Sequence, residues 1–146
     1  MKNPSACGDF FYLQTMPATN YFTILLDVLR RPGMYGLEDS MDLSAFLTGF
    51  SFGGAHPHLD RLLSEFTAFL KSENPEFKES TAGWSHMIKS WSWERGGSIS
   101  LFKYKLAVML REQGYWTDVH YKIFTSKDAP SSELWNSLPA PNYTED

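Results

Sequence analysis

Helix breakers recur along this chain at Pro32-Gly33, Gly53-Gly54, Asn74-Pro75, Gly96-Gly97 and Gly114, and between them lie pieces that each carry one apolar stripe at helical spacing. Thr19-Asn20 supplies an N-cap for the first. Tyr21, Ile24, Leu25, Val28 and Leu29 then form its stripe, and Arg30-Arg31 suits a helix C-terminus. Ser40 or Asp42 can cap the second, whose face is Leu43, Phe46, Leu47 and Phe50. Pro57 opens the third, and its stripe of Leu59, Leu62, Leu63, Phe66, Phe69 and Leu70 is the strongest periodic signal in the chain. Ser80 or Thr81 can cap a short fourth helix with Trp84, Met87, Ile88 and Trp91, and Ser98 a fifth with Ile99, Leu101, Phe102, Leu106, Met109 and Leu110. The expected fold is all-α, a single-domain bundle of about five helices.

A chain of 146 residues can bury about 70% of the surface its unfolded form exposes, so one domain needs no disulfide or metal to hold it. Residues 1–18 read as a packed N-terminal arm, 19–124 as the helical core and 125–146, with Pro130, Pro139 and Pro141, as a C-terminal tail on or leaving the domain. Within 116–124, Val119, Tyr121 and Ile123 alternate with His120 and Phe124, a pattern that also permits a short extended segment near the C-terminus. Cys7 has no partner for an internal disulfide, and the first residues lack the charged and apolar regions of a signal peptide. A cytoplasmic protein is expected. No apolar run approaches the roughly 20 residues of a membrane span, so no membrane partner is expected either.

Seventeen acidic against thirteen basic residues give a net charge of −4, which argues against a phosphate-tracking nucleic-acid binder and suits a basic partner. His56-Pro57-His58-Leu59-Asp60 resembles the His-x-His-x-Asp run of metallo-β-lactamase-like hydrolases. However, Arg61 stands where that family has a further His, and its fold needs many strands. A small metal-dependent hydrolase using His56, His58 and Asp60 is therefore the alternative reading; the plainer one is a helix start with polar first-turn residues, and no metal or other cofactor is expected. Ser85 and His86 are helix neighbours whose side chains diverge by about 100°, which rules out a serine–imidazole pair. No catalytic residue is assigned, and the expectation is a protein that is not an enzyme. Lys103-Tyr104-Lys105 reads as a solvated helix face.

Aromatic residues make up 16% of the chain, a surplus that can fill a core or build a binding face. Trp84 and Trp91, seven apart, share a helical face and read as core, whereas Trp93 beside Glu94 reads as surface. Glu38, Asp39 and Asp42 cluster next to Tyr35, as acids on an inhibitor of a basic enzyme would, although helix capping explains Asp39 and Asp42 equally well.

The run Leu29-Arg30-Arg31-Pro32-Gly33-Met34-Tyr35-Gly36, followed by Leu43, Phe46-Leu47 and Gly49-Phe50, resembles a group of small bacterial proteins with an RPGMYLG-type motif. Some of these are similar to immunity proteins of contact-dependent-inhibition and polymorphic toxin systems. Gly36-Leu37 departs from the Leu-Gly order of that motif. The resemblance implies an immunity protein that binds and neutralises a cognate toxin domain, with a nuclease as the expected toxin. A regulatory protein-binding module is the further alternative. The partner-binding candidates are Tyr35, Glu38, Asp39, Asp42, Trp93 and Glu94.

Overall fold

Each apolar stripe becomes a helix in the computed structural model of the chain, which describes residues 20–54, 56–92, 97–128 and 130–143. Helix α1 (Asn20–Arg30) buries Tyr21, Phe22, Leu25, Leu26, Val28 and Leu29. Pro32 cannot continue it, and its fixed φ instead starts a 3₁₀ turn over Pro32–Tyr35. Gly36 ends that turn at φ 71°, donating its N–H to the Gly33 carbonyl. Open space surrounds the position of a Cβ there, so the glycine is required by its left-handed backbone, not by room.

Helix α2 (Ser40–Gly54) buries Leu43 and Leu47, and α3 (Pro57–Glu73) buries Leu59, Leu62, Phe66, Phe69 and Leu70. A second 3₁₀ turn, Pro75–Phe77, follows Asn74, whose side chain accepts from the Glu76 N–H. Then come α4 (Trp84–Trp91) and α5 (Ser98–Glu112). Helix α5 is the hub: it buries residues on nearly every side, from Ile99 and Phe102 to Val108 and Leu110, and it touches α2, α3, α4 and α6. Trp84, Phe66 and Phe102 meet within 6.1 Å of one another between α3, α4 and α5.

The caps differ from the expected ones by one to three residues. Asp39, not Ser40 or Asp42, caps α2 by accepting from the Asp42 N–H at 2.9 Å. Gly83 and Gly97, not Ser80, Thr81 or Ser98, precede α4 and α5. The displaced serines take other work. Ser40 is buried; its N–H donates to Ser98 Oγ at 2.7 Å and its hydroxyl to the Ser85 carbonyl at 2.8 Å, which ties the starts of α2, α4 and α5 together.

The segment that permitted an extended reading is helical. Helix α6 (Asp118–Thr125) starts from a capping box in which Thr117 Oγ1 accepts from the His120 N–H and His120 Nδ1 accepts from the Thr117 N–H. Before it, Gly114 at φ 82° turns the chain. That turn lets Trp116 and Phe124 both reach the core, 5.1 Å apart. Helix α7 (Ser132–Asn136) is capped by Ser131. Its Trp135 stacks on Phe124 and donates from its indole N–H to the Leu26 carbonyl at 2.8 Å, so residues 130–143 lie on the domain. The described residues thus form seven helices and no strand, the two beyond the expected five being the short α6 and α7. None is long and apolar enough to cross a membrane.

Candidate functional site

The turn between α1 and α2 gathers four of the six partner-binding candidates, Tyr35, Glu38, Asp39 and Asp42, within eight residues. Trp93 and Glu94 lie outside the described residues, as does Cys7. Asp27, on the last turn of α1, organises the tip. It accepts from the Arg31 guanidinium at 2.9 Å and from the Tyr35 hydroxyl, while the Tyr35 ring sets its edge against Phe46 at 5.5 Å. The Tyr35 hydroxyl first, and the Arg31 guanidinium second, hold the Asp27 carboxyl below its usual range.

Downstream, Asp39 is fully occupied: beyond its cap it accepts from Lys89 Nζ at 2.6 Å, and that ammonium chiefly holds its carboxyl below the usual range. Asp42 accepts from the Glu38 N–H at 2.9 Å. Capping and an ion pair therefore account for Asp39 and Asp42. What the turn offers outward is the Glu38 carboxylate, one face of Tyr35, and Met34, which is 74% exposed. Met34 was legible only as part of a motif. Its position at the tip of a Pro-Gly turn with no buried residue is what exposes it.

The tie to Asp27 makes a pH prediction. A carboxyl lowered by folding contributes stability that is present above its unfolded value, near 3.9, and lost as pH falls through the lower folded value. Tyr35→Phe removes the chief cause, so the Asp27 carboxyl should titrate at a higher pH than in the parent, read by side-chain NMR, and its contribution to stability should be smaller and be fully lost at a correspondingly higher pH. An unmoved Asp27 titration would show that the phenol does not hold it.

The His56-Pro57-His58-Leu59-Asp60 run is spent on packing. His56 stacks on Phe50 at 4.3 Å and 10°, His58 sets edge contacts with Tyr21 and Tyr143, and Asp60 accepts from the Ser51 hydroxyl at 2.7 Å. Among the described residues no group of three or more His, Cys, Asp or Glu comes together to hold a metal ion. Ser85 is buried and His86 exposed on α4, and His120 serves its cap.

Lys103-Tyr104-Lys105 is not the plain solvated face that its sequence suggests. Lys105 pairs with Glu73 at 3.2 Å over the Trp91 ring, and Lys103 is half-buried above Phe124 and Trp135. Burial alone pushes its ammonium down from the ordinary lysine range. A partly open cleft of about 350 Å³ lies there, lined by Ser100, Lys103, Tyr104, Phe124, Thr125, Ser126 and Lys127.

Compared with protein-family models, curated proteins and solved structures, the chain matches none.

Proposed function

We propose that this chain is a non-enzymatic immunity protein that binds a cognate toxin domain, a nuclease in the first instance, and covers its active site or substrate surface. The observation that supports the reading best is the braced turn between α1 and α2. It presents Met34, Tyr35 and Glu38 outward, with Asp27 holding the Tyr35 hydroxyl and with Asp42 and Asp39 accepting from the backbone N–H groups of Glu38 and Asp42. An apolar and aromatic tip beside a carboxylate, fixed before the partner arrives, limits the ordering cost of binding and can face a basic surface. The net charge of −4 acts in the same direction by steering association with a cationic partner.

Co-expression with the protein encoded immediately upstream of this chain tests the reading. The expected result is a stable complex and relief of growth inhibition; no complex and no relief would overturn it. Within such a complex, Met34→Asp and Tyr35→Ala should each weaken binding by about tenfold or more, roughly 1.4 kcal/mol, with the melting temperature nearly unchanged for Met34→Asp because that side chain is largely exposed. Full-strength binding by both variants would remove the turn from the interface.

A further inference from the structure

We propose that the cleft between α5 and α6 binds a small organic oxyanion, its charged end held by Lys103, Ser100 and Lys127 and its apolar body lying against the exposed Tyr104 ring. The site is separate from the α1–α2 turn and independent of the toxin-binding proposal.

The side chains around the cleft divide into those already committed and those left over. Thr125 Oγ1 donates to the Tyr121 carbonyl at 2.8 Å, and Ser126 Oγ to the Asp128 carbonyl at 3.0 Å. Lys103 has three N–H donors, and among the described residues no carboxylate, carbonyl or hydroxyl accepts from them. The Phe124 and Trp135 rings, at 5.7 and 5.3 Å, attract its charge but take no hydrogen bond. Ser100, one helical turn before Lys103, likewise has an uncommitted hydroxyl, and Lys127 is exposed on the lining.

Among the described residues, two cations and no acid line the space. A half-buried ammonium with unfilled donors is costly unless it is paired, and an oxyanion supplies both the charge and the acceptors. About 350 Å³ is room for a small ring or short chain carrying one such group. Carboxylates and phosphate monoesters share the required chemistry. A bound anion would also raise the Lys103 ammonium from its lowered position, so binding should weaken as pH rises through the lowered value of the free protein.

Amide NMR titrations of the full chain with phenyl phosphate, benzoate and the uncharged benzyl alcohol test the site. Expected are saturable shifts in the millimolar range at residues 100, 103 and 125–127 for one or both anions, phenyl phosphate being tighter if both lysines engage a dianion, and no saturation by benzyl alcohol. Lys103→Met keeps the stem's packing and should weaken anion binding about tenfold or more, with Lys127→Met weakening it by less. Absence of saturation by both anions up to about 20 mM, benzyl alcohol binding as tightly as benzoate, or undiminished binding by Lys103→Met would each overturn the proposal. Should Lys103→Met not fold, the comparison of charged with uncharged probes and the Lys127→Met variant still decide it.

Discussion

Phe102→Ala is expected to lower the unfolding free energy by about 3–5 kcal/mol. Phe102 is fully buried on α5, its ring 4.8 Å from Phe66 and 4.9 Å from Trp84. Truncation removes the ring's transfer energy, and because both neighbours are themselves rigid rings on separate helices, the space they surround cannot close by a rotamer change. In urea, where slopes of about 1–3 kcal/mol/M are usual, the midpoint should fall by roughly 2 M, with the slope preserved. Phe102→Leu should recover more than half of the loss. A change below about 1.5 kcal/mol for the alanine variant would mean that α5 is not packed as a hub.

The second large effect belongs to Trp135, in the part of the chain that reads as a proline-rich tail. Trp135→Ala should cost about 3–5 kcal/mol as well, because the indole is buried, stacked on Phe124 at 4.9 Å and hydrogen-bonded to the Leu26 carbonyl. Trp135→Phe separates the contributions: it keeps a stacked ring and loses the N–H donor, for a cost of about 1 kcal/mol. Hydrogen exchange gives the sharper readout. The alanine variant should lose amide protection in α7 and at the Leu26 end of α1, while α3 and α4 keep theirs relative to the global value. If α7 exchanges in the parent as fast as in the variant, residues 130–143 are not anchored by this indole.

Where local chemistry decides, the sequence is easy to read. The α3 stripe is long, uninterrupted and opened by Pro57, and every residue on it except Leu63 is buried. Helix α6 was ambiguous for the opposite reasons. It is eight residues long, and its capping box has histidine where glutamate or glutamine usually stands. Alternation over so short a window fits either period. Helix α7 is beyond local reasoning, since the acceptor that places Trp135 is 109 residues away.

The candidate site divides in the same way. The acidic cluster and Tyr35 are visible in the sequence, and so is the possibility that Asp39 and Asp42 are capping groups. The Lys89 partner of Asp39, fifty residues on, is not, nor is the bracing of Tyr35 by a carboxylate on the preceding helix. Lys103 shows the limit most clearly. Its neighbours in sequence suggest solvent, whereas Phe124 and Trp135 converge on it only after α6 packs on α5 and α7 packs on α6 and α1.

The indole bond between Trp135 and Leu26 also fixes an order of events during synthesis. Helix α1 is among the first of the described elements to leave the ribosome, yet the side chain that covers its Leu26 end is made more than a hundred residues later. At about 5–20 residues per second, that interval lasts several seconds or more. Through it, the apolar face of α1 that α7 will cover depends on nascent neighbours or chaperones for protection, and stalled or truncated chains lacking Trp135 carry an unfinished seam by which quality control can recognise them.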